Sequence, residues 1–121
     1  MTASISDSTL DAVLLALADP TRRAILARLS RGQARVTELA EPFSISLNSV
    51  SKHIRVLERA RLIRRQVRGR EHLLSLDPKP LDQAAEWLDG QRALWTRRLL
   101  ALDELLQEED RTAGRSGKGR R

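Results

Sequence analysis

One stretch of the sequence carries a short polar side chain followed by long cations at helical spacing. Asn48, Lys52, Arg55 and Arg59 lie four, three and four residues apart, which places them on one face of a helix. Asparagine can form paired hydrogen bonds with adenine, and lysine or arginine can do so with guanine or can hold phosphates. This spacing therefore predicts a helix whose outer face binds a nucleic acid.

Positive charge is concentrated around this predicted helix. Residues 46–72 contain eight basic and two acidic residues, a net charge of +6 that equals the net charge of all 121 residues. Two short runs with apolar residues, 62–67 and 72–76, flank Arg68-Gly69-Arg70 and predict a β-hairpin with a basic tip. A cationic helix followed by a cationic hairpin favours a polyanionic partner.

Capping and helix-breaking residues predict the elements that hold this helix in place. Asp19-Pro20 is a strong start signal, because aspartate accepts from free amides of the first turn and proline fits the first helical position. Val36 is predicted to make a one-residue β contact, and Pro42 to stop a short helix. The predicted helices are one of about ten residues that follows a Ser8 cap and ends at Ala18, 20–30 after the Asp19 cap, a short helix after a Thr37 cap, and 47–60 after a Ser46 cap.

A long last helix is predicted over Pro80–Glu109, where only Gly90 interrupts the pattern. Apolar residues recur every three to four positions from Leu81 to Leu106, broken only by Arg92. No remaining sequence can cover the second half of this stripe, so we expect it to pack, with the first helix, against a second copy of the chain. The expected dimer contacts are Leu10, Val13, Leu14, Leu17, Leu88, Trp95, Leu99, Leu102 and Leu106. Three residues widen the stripe and either pack in the core or line a cavity between protomers: Trp87, Leu94 and Leu105.

The composition excludes several classes of protein. Without cysteine the chain can form neither disulfides nor thiolate metal sites, and with 2% aromatic residues its core must be aliphatic. The longest apolar run, Ala12–Ala18, is far shorter than the roughly 20 residues of a membrane span. No nucleophile motif or glycine-rich phosphate loop is present, so neither an enzyme nor a cofactor is expected. We expect a soluble cytoplasmic protein with no membrane partner.

Three blocks of sequence together resemble a known family. They are Ala16-Leu17-Ala18-Asp19-Pro20-Thr21-Arg22-Arg23-Ala24-Ile25-Leu26, Thr37-Glu38-Leu39-Ala40 and Val50-Ser51-Lys52-His53-Ile54-Arg55-Val56-Leu57-Glu58. In this order, over about residues 10–90, the chain resembles the ArsR family of dimeric winged-helix transcriptional regulators. The resemblance implies a homodimer that binds double-stranded DNA at an operator and usually represses until a ligand binds, so a small-molecule effector is left open.

The resemblance also implies where the DNA contacts lie. Ser46–His53 would be the base-reading segment and Arg64–Arg70 the wing. A twofold dimer would hold two such segments about one DNA turn apart, near 34 Å, which matches an inverted-repeat operator. The residues expected to contact DNA are Ser46, Asn48, Ser49, Ser51, Lys52, His53, Arg55, Arg64, Arg68 and Arg70.

The sequence departs from the family pattern at three points. Ser44 and Arg61 stand where relatives often have glycine, and both positions are expected to need a positive φ. Leu47 stands where many relatives place glutamine, so it could meet a thymine methyl but cannot form a hydrogen bond with a base. With no cysteine and only two histidines, His53 and His72, metal sensing is not expected.

The predicted fold class is mainly α with a small β-hairpin, a winged helix-turn-helix that dimerises through its first and last helices. The predicted division is a flexible segment 1–8, a DNA-binding domain 9–78, a dimerisation helix 79–109 and a disordered basic tail 110–121. The main alternative function is a protein-interaction module on a winged-helix scaffold that no longer reads DNA specifically. An RNA-binding winged helix is a third option, weakened by the absence of tyrosine and of an exposed aromatic platform.

Overall fold

Five helices and three strands form the part of the chain that the structure describes. The computed structural model describes the backbone of residues 5–118 and the side chains of residues 5–114. The helices are α1 (Asp7–Leu17), α2 (Pro20–Leu29), α3 (Val36–Ala40), α4 (Leu47–Arg59) and α5 (Lys79–Lys118), and the strands are β1 (Ala34–Arg35), β2 (Ile63–Arg68) and β3 (Glu71–Leu76). The chain divides into two compact units, Met1–Ala85 and Glu86–Arg121, so the boundary falls inside α5.

Two predicted caps are confirmed. The Asp19 carboxylate accepts from the Arg22 amide at 3.0 Å and begins α2 at Pro20. The Ser46 hydroxyl accepts from the Ser49 amide at 3.1 Å and begins α4 at Leu47. Each bond satisfies an amide of the first turn that has no partner inside its own helix.

Two other predicted helix starts are wrong. The cap of α1 is Ser6, whose hydroxyl accepts from the Thr9 amide at 3.2 Å, and Ser8 lies inside the helix. The short helix α3 begins at Val36, one residue before the predicted Thr37 cap. There the Glu38 carboxylate accepts from the Arg35 amide at 3.1 Å, so the acidic residue of the first turn provides the side-chain bond.

The predicted hairpin is present and is part of a three-stranded antiparallel sheet of order β1-β3-β2. Its loop is two residues long, because Arg68 pairs with Glu71, and Gly69 has φ +60°. Glycine is favoured at this first loop position because it adopts positive φ without a steric penalty. The β contact predicted at Val36 lies instead at Ala34 and Arg35, which pair with β3. This architecture confirms the predicted winged helix-turn-helix.

The core of the first unit is aliphatic, as the composition predicts. No aromatic residue is among its buried side chains, and Phe43 is only partly buried against them. Side chains from several elements fill this core, and the largest fully buried ones are Ile25, Leu39, Ile54, Leu57, Leu62, Leu74, Val13 and Val50. They fix α4 against α2, α3 and the sheet, which positions its outer face.

A left-handed residue follows the C-cap of helix α4. Arg61 has φ +60° and is the one non-glycine residue with positive φ in the described part of the chain, so the expectation is confirmed at Arg61 and wrong at Ser44. The Leu62 amide donates to the Leu57 carbonyl at 3.0 Å, and the Arg61 amide donates to the Glu58 carbonyl at 2.9 Å. This pair of bonds is a Schellman motif, in which glycine is the usual left-handed residue.

The last helix is longer than the sequence predicts. It begins at Lys79 and continues to Lys118, past the predicted end at Glu109. The disorder predicted for the basic tail is therefore corrected for residues 110–118, while residues 119–121 lie outside the described part of the chain. Helical pattern without a breaker extends to Ala113, and Gly114 alone does not end the helix.

Candidate nucleic-acid interface

The outer face of α4, formed by Asn48, Lys52, Arg55 and Arg59, is exposed. On the opposite side of the helix Val50, Ile54 and Leu57 are 0% exposed, so the orientation of the helix is fixed by its apolar stripe. Among the residues that the structure describes, none of the three cations forms an ion pair with a carboxylate. The outer face of α4 therefore presents one amide and three free cations to the solvent.

The serines at the start of α4 have local partners. Besides its capping bond, the Ser46 hydroxyl donates to the Ser49 hydroxyl at 3.0 Å. Ser49 and Ser51 are half-buried on the flanks of the helix. Of the four predicted contacts at this end, Asn48 is thus the one both exposed and without a local role in capping.

His53 contacts the protein's own α2 region. Its Nδ1 lies 3.7 Å from Oδ2 of Asp19 and 3.2 Å from Nη1 of Arg22, and its side chain is half-buried. His53 therefore has an internal partner, and its contact with DNA stays a prediction. A bond from the Arg22 amide, with the charges of His53 and Arg22 adding to it, holds the pKa of the Asp19 carboxyl below its usual value despite the opposing effect of burial.

Arg22 joins three helices, which the sequence analysis missed. Its Nε donates to the Ala16 carbonyl at 2.7 Å and its Nη2 donates to the Leu15 carbonyl at 2.9 Å. The same guanidinium contacts His53 on α4, so Arg22 satisfies carbonyls at the end of α1 and touches α4. Arg23 adds a bond to the Leu17 carbonyl at 2.7 Å. Arg22 and Arg23 follow the Asp19 cap by three and four residues, and nothing at these positions in the sequence indicates their partners.

The arginines of the wing, residues 63–76, differ in whether they have a carboxylate partner. At its root Arg64 donates to Asp77 at 2.8 Å and 3.1 Å, so this predicted DNA contact already has a carboxylate partner. A bond from the Lys79 amide, followed by Arg64, lowers the pKa of the Asp77 carboxyl. At the tip Arg68 and Arg70 are exposed and, within the described residues, form no ion pair. The tip therefore has two free cations, and Arg64 belongs to the root.

A second root contact ties the wing to α4. Arg65 donates to both carboxylate oxygens of Glu58, at 2.8 Å and 3.2 Å, and its Nη1 lies 3.0 Å from Nδ1 of His72. The hydrogen bond with Glu58 raises the pKa of the Arg65 guanidinium, which stays charged. Sequence reasoning placed both residues in the basic stretch without pairing them. This bidentate contact fixes the base of the wing against α4.

Predicted dimer contacts fall into two groups. Leu10 and Val13 belong to the core of the first unit, which corrects the expectation that they face a partner, and Leu17 packs partly against that core. Leu14 is 39% exposed on α1. In the second unit the leucine stripe of α5 is at least half exposed: Trp95 64%, Leu99 59%, Leu102 52% and Leu106 50%, with Leu88 at 50%. Trp87 and Leu105 are also exposed, so neither is a core residue.

The described residues contain neither a metal-binding cluster nor a membrane-spanning helix. No group of three or more histidine, cysteine, aspartate or glutamate side chains among them is placed to hold a metal ion. Within the same residues, no helix combines the length and the apolar character that crossing a membrane requires.

Comparisons with known proteins agree with this geometry. A family model described as a helix-turn-helix domain matches residues 17–66, which include α2, α3 and α4. The chain is 40% identical over 94 residues to the HTH-type transcriptional regulator Rv2034 of Mycobacterium tuberculosis, covering 78% of this chain and 85% of that protein. It is 36% identical over 76 residues to the transcriptional repressor SdpR of Bacillus subtilis, covering 63% of this chain and 84% of that protein.

A solved structure gives the same result. The crystal structure of an ArsR family transcriptional regulator is 42% identical, superposes with a TM-score of 0.73, and covers 78% of this chain and 97% of its own. Identity and coverage at this level confirm the resemblance seen in the three sequence blocks. The chain belongs to the ArsR family of winged-helix transcriptional regulators.

Proposed function

We propose that this protein is a repressor that binds an inverted-repeat operator as a homodimer, with α4 in the major groove and the wing tip on the adjacent backbone or minor groove. The observation that carries the proposal is the outer face of α4, where Asn48 and three free cations stand on a rigid, capped helix. Repression is supported by the similarity to a protein named as a repressor.

The dimer is supported by the leucine stripe of α5. Four large apolar side chains, each at least half exposed, lie along one side of this helix at Trp95, Leu99, Leu102 and Leu106. Covering such a stripe removes apolar surface from water, and a second copy of the same helix offers a matching surface. A twofold pair would present two α4 helices to one operator.

The alternative functions have less support. A protein-interaction module gives no reason for unpaired cations on the outer face of α4, and the family is one of transcriptional regulators. We assign no catalytic role to the chain. We place its action in the cytoplasm, where the operator DNA is accessible.

A salt titration of DNA binding tests the proposal. A duplex selected from a random pool with the full-length protein is labelled, and its affinity is measured by fluorescence anisotropy. Binding should fall roughly a thousandfold or more between about 50 and 200 mM salt, because each bound phosphate releases condensed counterions. Salt-insensitive binding, or equal affinity for the selected duplex and random duplexes, would contradict the proposal.

Charge-removal variants locate the interface. Lys52→Ala and Arg55→Ala should each weaken binding roughly tenfold or more and leave the dimer intact. Arg97→Ala removes the same charge from an exposed position of α5 and serves as the matched control. Equal losses in all three variants would mean that net charge, and not the outer face of α4, determines the affinity.

A further inference from the structure

The first turn of α4 presents an apolar side chain among polar ones. Leu47, the first residue of the helix, is 51% exposed, and Ile45 just before the cap is 41% exposed. Val50, three residues further, is 0% exposed and belongs to the core. Leu47 therefore lies outside the packed interior, beside the exposed Asn48.

The neighbours of Leu47 restrict what can contact it. It lines a shallow depression with residues of α3 and the following turn: Thr37, Glu38, Ala40 and Glu41. The Glu38 carboxylate is paired with Arg35, whereas Glu41 forms no ion pair within the described residues. The Glu41 charge repels phosphate oxygens, so the DNA backbone is a poor partner on this side. Since leucine neither donates nor accepts hydrogen bonds, the matching group on the DNA is apolar. In the major groove, the 5-methyl group of thymine is the apolar group that base edges present.

We propose that Leu47 reads the methyl group of one thymine in each half of the operator. This inference rests on the proposed function, because it requires α4 to enter the major groove. Asn48 can pair with the N6 and N7 of adenine, so the two adjacent residues together favour an A·T-containing step. The cations of Lys52 and Arg55, further along the same helix, remain available for phosphates or guanine.

Uracil substitution isolates the methyl group. Deoxyuridine lacks the thymine methyl but keeps every hydrogen-bonding group of the base. In the selected operator, each thymine is replaced in turn by deoxyuridine at the symmetric positions of both half-sites. One such pair should weaken wild-type binding roughly fifteenfold, because burying a methyl contributes roughly a fourfold factor and two are lost. Affinity is measured by anisotropy at one salt concentration.

The protein variants assign that effect to Leu47. Leu47→Ala should bind the thymine and uracil operators with equal affinity. Leu100→Ala makes the same change at an exposed position of α5, outside the elements proposed to contact DNA, and should keep the wild-type ratio. Circular dichroism checks that both variants are folded. We expect both to fold, because each substitution is at an exposed position.

The outcomes separate this inference from the proposed function. Two results would contradict the contact between Leu47 and a thymine methyl and leave the proposed function intact. One is a selected operator without a methyl-sensitive thymine, and the other is a methyl effect that persists in Leu47→Ala. Failure to select any preferred duplex would overturn sequence-specific binding and, with it, this inference. A methyl effect that disappears in Leu47→Ala and remains in Leu100→Ala is the expected result.

Discussion

Apolar stripes in α4 and in the second unit have similar spacing and opposite exposure. Val50, Ile54 and Leu57 of α4 are fully buried, whereas Leu99 and Leu102 of α5 are more than half exposed. A helical apolar pattern thus predicts a face that is buried in a contact, but it does not say whether the same chain or a second chain makes that contact. Core residues should stabilise one protomer at any concentration, and the leucine stripe should matter through assembly.

The largest expected effect is on stability, at a buried position of the α4 stripe. Leu57→Ala should lower the free energy of unfolding by about 3 kcal/mol, because it removes buried methyl groups and leaves a cavity. Urea denaturation at two protein concentrations should give the same loss. Val67→Ala, at an exposed site of the wing, should cost less than about 1 kcal/mol. Equal losses of unfolding free energy in the two variants would contradict the distinction between buried and exposed positions.

The next largest effect is expected on dimer formation, at the exposed leucine stripe of α5. Leu99→Glu combined with Leu102→Glu should convert the dimer to monomers and weaken operator binding at least roughly a hundredfold, because two linked half-site contacts become independent. Sedimentation and anisotropy measure the two consequences.

A matched control keeps the added charge and changes its place. Ala93→Glu combined with Ala101→Glu introduces two glutamates at exposed positions of α5 outside the leucine stripe, and should remain dimeric. A dimer that persists in the Leu99 and Leu102 variant would refute the assignment of the stripe.

A smaller effect comes from the Asp19 cap of the first unit. Asp19→Ala should lower stability by about 1 kcal/mol at pH 7. Because the folded-state pKa of Asp19 lies below its usual value, the contribution of its charge is present above the unfolded-state pKa and is lost as the pH falls through the folded-state pKa. The difference between wild type and variant should therefore shrink in acid.

Asparagine provides the control for this cap. Asp19→Asn keeps a capping oxygen without the charge, so it should retain most of the stability and lack the acid dependence. Denaturation midpoints at pH 7, 5 and 3 give the comparison. A loss in Asp19→Ala that is constant across these pH values would contradict the role of the carboxylate.

The smallest expected effect is a gain at the end of α4. Arg61→Gly should stabilise the protein by about 0.5 kcal/mol, because relief of left-handed strain slightly exceeds the added freedom of glycine in the unfolded chain. The thermal midpoint should rise for Arg61→Gly and not for Arg61→Ala, which keeps the Cβ. A glycine variant no more stable than the alanine variant would show that the strain is absent.

Local signals were sufficient for much of the fold. Asp19 and Ser46 each form their capping bond within three residues, so the sequence identifies them directly. Gly69 likewise marks the tight turn of the wing. Ser6 and Ser8 are both suitable residue types for the cap of α1, and the structure has Ser6. The exposed cations of α4 also followed from spacing alone.

Contacts between distant residues could not be predicted in this way. The contact between Arg22 and His53 spans 31 positions, and it places the histidine against the protein. The pairing of Arg64 with Asp77 depends on the register of the hairpin and on the start of α5. The direction in which Leu10 and Val13 face depends on how α1 packs against the core. The spacing of apolar residues predicts which side chains share a helix face. What that face contacts depends on the tertiary packing.

Within the described residues Lys52, Arg55 and Arg59 have no carboxylate partner, and this has a consequence for the medium in which the protein works. Exposed cations of this kind attract small dissolved anions in the free protein. In the proposed complex a duplex would displace those anions, so their chemical identity should affect binding as well as their concentration. Strongly hydrated organic anions, which associate weakly with guanidinium groups, should leave this surface more receptive than chloride does.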